Sequence, residues 1–241
     1  MTRDQALVRY FLRLGDNALV LAQRLTELTA GGPELEEELA TANFGLDYLG
    51  QARMFYSRAC ELEGAGRSED DIAFLRGERE FENLLLLEQP NGHFGDTIVR
   101  QVLFDSFYLL QLGALIDCSD QGLTDIAARA HKEIRYHLRH SSQWLMRLGD
   151  GTETSHSRVQ ESLDRLWRFS GELFDQLQLF EAREALDVRG HLFQHGARGG
   201  IGGRDLCFQQ HRGRDVEGGA DAAQFGDEFD HQFHLAFSAA I

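Results

Sequence analysis

From Leu7 onward, apolar side chains fall at Leu7, Phe11, Leu14, Ala18, Leu21, Leu25 and Leu28. These alternating steps of four and three residues lay one apolar stripe along a helix. Gly31, Gly32 and Pro33 close that helix. Pro33 suits the first turn of a second one, whose Glu34, Glu36, Glu37 and Glu38 complement the positive end of its dipole. The second helix is predicted to reach Glu63 with Leu35, Leu39, Ala42, Leu46 and Leu49 turned inward. After a Gly-rich acidic turn over 64–71, helix is predicted over 72–87, until Gln89-Pro90-Asn91-Gly92 breaks the chain. A long helix follows over 96–118. Another is predicted over 125–148, with Ile126, Ala130, Ile134, His137, Ser141, Trp144 and Leu148 at helical steps, and a fifth over 155–179, with Val159, Leu163, Leu166, Phe169 and Leu173. The expected fold class is all-α, a bundle of long antiparallel helices occupying residues 1–180.

Residues 181–241 read differently. They hold ten of the chain's 25 glycines and five of its ten histidines, with no sustained period. Runs such as Gly199-Gly200-Ile201-Gly202-Gly203 cost backbone entropy and bury nothing, so poor order is expected there. His191, His195, His211, His231 and His234 belong to this aperiodic stretch and read as composition, not as a ligand set.

Each of the four long helices sets an acid among apolar neighbours: Asp16, Asp47, Asp105 and Glu133. A carboxylate facing a dry interior is costly unless something pairs with it. Four inward acids from four helices is the layout of a di-iron carboxylate bundle, where two helices each supply a Glu and two supply Glu-x-x-His. The histidines are missing. Three residues after Asp47, Asp105 and Glu133 stand Gly50, Tyr108 and Tyr136, while His137 comes four residues after Glu133. The acids are therefore expected to form a vestigial polar layer, Asp16, Asp47, Gln51, Asp105, Glu133 and His137, satisfied by inward Arg, Gln, Asn, Tyr or His, with no metal, cofactor-binding or catalytic residue in this chain. A second reading keeps Asp16, Asp47, Asp105, Glu133 and His137 as ligands of an atypical metal pair, which would make the chain an oxidoreductase in its own right.

Composition narrows the partners. With 241 residues the chain can bury a core of its own, and a formal net charge of −15 argues against nucleic acid, whose binding rests on basic side chains releasing counterions. No stretch is read as approaching the ~18 apolar residues of a membrane span, and residues 1–10 read as helix with no leader. Cys60, Cys118 and Cys207 lie far apart without ligand spacing, as ordinary cytosolic thiols do, so a cytoplasmic location is expected. GxGxxG after a strand, GxxxxGK[ST] and GxSxG are all absent, and Lys132 is the only lysine.

Four strings carry more than composition does: Leu12-Arg13-Leu14-Gly15-Asp16-Asn17, Phe44-Gly45-Leu46-Asp47-Tyr48-Leu49-Gly50-Gln51-Ala52-Arg53, Glu88-Gln89-Pro90-Asn91-Gly92 and Arg135-Tyr136-His137-Leu138-Arg139. In this order, over residues 7–177, the chain resembles the C subunits of ring 1,2-phenylacetyl-CoA epoxidases. The resemblance implies a ferritin-like, structural subunit that partners the catalytic A subunit and the other subunits of the complex. It also implies that the iron resides in the A subunit, which epoxidises the aromatic ring. From Leu179 onward nothing resembles that family, and the sudden Gly, His and Asp richness reads like translation in a shifted frame, a product that would lack apolar surface needed to cover the bundle.

Overall fold

The computed structural model describes residues 2–28 and 31–174. The Gly- and His-rich stretch over 181–241, with its expected disorder and frame shift, lies outside the described residues. Helix α1 (Arg3–Thr26) opens with a reciprocal cap, Thr2 accepting from the Gln5 backbone N–H while the Gln5 side chain accepts from Thr2. It ends before Gly31, where Thr26 turns its hydroxyl back to the Ala22 carbonyl. Helix α2 (Leu35–Glu63) starts two residues after Pro33, which is thus outside the helix and not in its first turn. Gly64 closes it at φ 63°, a left-handed conformation that glycine adopts without strain.

α5 (Phe94–Leu115) and α6 (Gln121–Gly149) form the second long pair, and α7 (Glu153–Leu166) continues into a 3-10 segment, Trp167–Phe174. Side-chain contacts give the directions. Phe11 meets Phe55, and Gly15 lies under Tyr56 while Gly45 approaches Thr26, so α1 and α2 are antiparallel. Phe94 meets Trp144 and Gly113 approaches His131, so α5 and α6 are antiparallel too. Tyr48 reaches Asp105 and Gln51 reaches Tyr108, one step later on both helices, so α2 and α5 run parallel. Parallel neighbours need a long crossover, and residues 64–93 supply it. One long crossover in an otherwise antiparallel four-helix bundle is the ferritin-like connection.

α5 is the core helix, with every residue from Gly95 to Leu109 buried. It is long and apolar enough to cross a membrane, contrary to the sequence reading, but 89 % of its most apolar window is buried inside this bundle.

Two sequence expectations fail here. Leu35, Leu39, Leu46 and Leu49 point outward, being 66, 57, 65 and 47 % exposed, and Ala42 is half-buried. The buried face of α2 is instead Thr41, Phe44, Gly45, Tyr48, Gln51, Ala52, Phe55, Tyr56 and Ala59. α2 is apolar on two opposite faces, so periodicity alone could not choose between them. Residues 72–87, expected as one helix, are broken into α3 (Glu69–Phe74), a 3-10 turn (Glu78–Glu80) and α4 (Leu85–Glu88). The cause is tertiary. The backbone N–H groups of Glu82 and Leu84 donate to the Asp16 and Asn17 side chains, each at 2.8 Å, and so are not available to a continuous helix.

The Pro90 loop is anchored in a similar way. Arg100, buried in α5, donates to the Gln89 carbonyl at 2.8 Å and to Asn91 Oδ1 at 2.7 Å, and Asn91 donates to the Arg24 carbonyl. Burial lowers the Arg100 pKa to about 10, since its contacts are neutral acceptors.

A substitution at Gly15 tests how tightly α1 and α2 are locked. A Cβ there would overlap the Tyr56 ring, whose hydroxyl is held by Asp16 and Arg76 and cannot easily yield. Gly15→Ala is therefore expected to lose ~1–3 kcal/mol by overpacking despite alanine's better helix propensity. A lower urea midpoint at unchanged slope is the expected reading.

Candidate functional site

The acids do not form one layer. Asp16, fully buried on α1, accepts from Tyr56 Oη at 2.7 Å, from the Glu82 backbone N–H and from the Arg76 guanidinium, whose Nη1 lies 3.2 Å from Oδ2. Arg76 is itself nearly buried, donates to the Ile72 and Glu80 carbonyls, and stacks over Phe81 with 4.1 Å from Cζ to the ring centroid. Although burial disfavours its charge, the Asp16 carboxylate holds the Arg76 guanidinium above its ordinary pKa range. Burial in turn pushes the Tyr56 phenol upward, reinforced by the same carboxylate.

A separate cluster forms where α2, α5 and α6 meet. Tyr56 and Tyr48, which serve the two clusters, are eight residues apart, about 12 Å along α2. Asp105 is fully buried and accepts from the Tyr48 hydroxyl and from Gln101 Nε2 at 3.3 Å. Burial raises its pKa from the ordinary 3.8 to about 7, against the opposing pull of His137 and the Tyr48 hydrogen bond. Burial likewise raises the phenols of Tyr48 and Tyr108. Gln51 bridges outward, accepting from Tyr108 Oη at 3.2 Å and donating to Glu133 Oε2 at 2.9 Å, while Arg129 supplies Glu133 with a second donor.

His137 is fully buried, with Nε2 3.0 Å from Asp47 Oδ2 and its ring 4.1 Å from that of Phe44. One turn on, His140 Nε2 lies 2.9 Å from Glu37 Oε2, and burial lowers its pKa despite that carboxylate. The helical spacing predicts an inward Asp47, but its side chain is 42 % exposed. It lies on the seam between α2 and α6, because the buried face of α2 is centred on Tyr48 and Gln51.

The positions three residues after the acids are equally telling. Gly50 looks into open space, Tyr136 is 61 % exposed, and only Tyr108 points inward. An imidazole at position 50 or 136 would project away from the bundle. Among the described residues, no three or more His, Cys, Asp and Glu side chains are grouped so as to hold a metal ion. The carboxylate oxygens are instead engaged by phenol, amide and guanidinium donors, so the residues present do not fit a two-metal carboxylate centre. Sequence reasoning missed Arg76 and Tyr56, whereas Gln101, one turn before Asp105 on the same helix, meets that acid as its spacing predicts. The spacing of Tyr48 and Tyr56, eight residues on one helical face, was the available signal for Tyr56.

A four-helix bundle with one long crossover and a carboxylate on each long helix defines a ferritin-like protein. Residues 1–191 match the family described as phenylacetic acid catabolic protein, so the likeness runs past Leu179, where the sequence reading ended it. The chain is 52 % identical over 187 residues, covering 76 % of its own length and 75 % of the relative, to the C subunit of the 1,2-phenylacetyl-CoA epoxidase of Escherichia coli (strain K12). The chain belongs to the phenylacetic acid catabolic protein family.

The strings that carried the resemblance acquire physical roles. Gly15-Asp16-Asn17 grips the crossover, Phe44 to Gln51 supplies the α2 side of the acid cluster, and Gln89 and Asn91 dock on Arg100.

Proposed function

We propose that this chain is the non-catalytic subunit of a multicomponent phenylacetyl-CoA epoxidase, shaping and positioning a homologous catalytic A subunit that holds the iron, in phenylacetate catabolism. The carrying observation is that the acids a metal would need are already engaged. Asp16 is neutralised by Arg76, and Asp105 and Glu133 accept from Tyr48, Gln101, Gln51 and Arg129. A chain with this arrangement keeps the bundle's shape while its polar groups stabilise the fold. The high identity to the C subunit of a phenylacetyl-CoA epoxidase supplies the pathway.

Metal analysis tests the reading. The purified chain, incubated anaerobically with ferrous iron and desalted, is expected to retain far less than one iron per chain, and to support epoxidation of phenylacetyl-CoA only when the catalytic and reductase subunits are added. Two tightly held irons per chain, with turnover in the absence of the A subunit, would overturn it.

A further inference from the structure

We infer that the outer face of α2, together with the neighbouring edge of α6, is the docking surface for a second, non-identical helical bundle. This rests on the reading of the chain as one subunit of an assembly and names the surface through which it assembles. A helix that is apolar on two opposite faces is normally covered on both. α2 packs Phe44, Tyr48, Ala52, Phe55 and Tyr56 against its own bundle, yet presents Leu35, Leu39, Leu46 and Leu49 to solvent on the opposite side. Their spacing, with steps of four, seven and three, is that of a stripe which meets another helix.

Gly50 stands within this stripe. A glycine in mid-helix is unfavourable, and a Cβ at Gly50 would meet nothing within 4 Å, so no contact among the described residues calls for it. A spot without a side chain between Leu46, Leu49 and Arg53 allows a crossing helix to come close. That is an independent sign that the face is covered by backbone from elsewhere.

Charge selects the occupant. α6 runs antiparallel beside α2, the register set by Glu37 with His140, Asp47 with His137, and Gln51 with Glu133. Beyond that seam α6 exposes Arg129, Lys132, Tyr136 and Arg139, a basic edge on a chain of net charge −15, with Tyr136 standing edge-on to Phe44. The start of α2 carries Glu34, Glu36, Glu37 and Glu38. Two copies of this chain pressed together on a two-fold axis along α2 would oppose these glutamates to themselves. An axis across α2 would oppose the basic edge of α6 to itself. Like charges facing each other disfavour both arrangements. The surface fits a different helical chain, apolar along its centre, with acids over α6 and bases over the start of α2.

The test uses the full chain with the catalytic subunit of the same epoxidase. Leu46→Asp, Gly50→Leu and the double change Lys132→Glu, Arg139→Glu all lie on the exposed face and are expected to keep the wild-type circular dichroism, with a urea midpoint near wild type for the first and third and somewhat higher for Gly50→Leu, which removes a mid-helix glycine. The first two are expected to weaken binding to the catalytic subunit at least ~30-fold in titration calorimetry. The charge reversal is expected to slow association and flatten its salt dependence. If the wild-type chain binds and Leu46→Asp and Gly50→Leu bind equally well, the surface is wrong while the subunit reading stands. If the wild-type chain does not bind the catalytic subunit, the subunit reading itself fails. If the wild-type chain alone sediments as a dimer that Leu46→Asp splits, the occupant is a second copy and the proposal is overturned.

Discussion

Arg76→Ala is expected to destabilise the protein by ~3–5 kcal/mol, because removing one partner of a buried ion pair leaves the other charge without compensation. Asp16 has no exposed surface, and the guanidinium is the cation on it, beside two neutral donors from Tyr56 and the Glu82 backbone. The loss would extend beyond the pair. Arg76 also ties the Ile72 and Glu80 carbonyls, so its removal frees the crossover that those contacts fold against α1 and α2. Asp16→Asn together with Arg76→Leu should cost less than the sum of the single changes, since no buried charge remains. Urea unfolding of the two single variants and the double variant checks both statements. A variant within about 1 kcal/mol of wild type, which is what an exposed pair would give, would show that this pair does not hold the crossover.

Asp105 should make stability depend on pH in the opposite sense to most carboxylates. Burial raises its pKa to about 7, from an ordinary value of 3.8. Between those values the native state keeps a proton that the unfolded chain releases, so stability falls as pH rises through that window and levels off above it. Three units correspond to an effect on the order of 4 kcal/mol from this one group. Asp105→Asn cannot ionise. It keeps an acceptor for the Tyr48 hydroxyl and brings amide hydrogens to Gln101, whose Oε1 is buried without a partner. The variant should match wild type in acid and exceed it at pH 8, with the difference growing between pH 4 and 7. Parallel curves for the two proteins from pH 4.5 to 8.5 would contradict the assignment of the proton to Asp105.

Part of this architecture is legible in the amino-acid sequence. α1 and α6 are readable because each couples a strong apolar stripe to its own stop signals, and Ala130, Ile134, His137 and Ser141 are buried as their spacing predicts. The presence of acids on all four long helices is visible too, as is the absence of histidines at the third position after them.

What the sequence determines by itself is the local record: helical stripes, caps and breaks, and which chemical groups each helix carries. Where one face is apolar and the other polar, that record also settles which side is buried. The tertiary structure decided everything that depends on competition between distant groups. α2 has two apolar faces, and only packing against α1, α5 and α6 selects Tyr48 over Leu46 for the interior. The crossover could have been a helix, but Asp16 and Asn17 take the backbone donors it would need. Asp16 acquires its cation from Arg76, sixty residues away, a pairing that no periodicity encodes because a buried charge is satisfied by whichever partner the fold brings within reach.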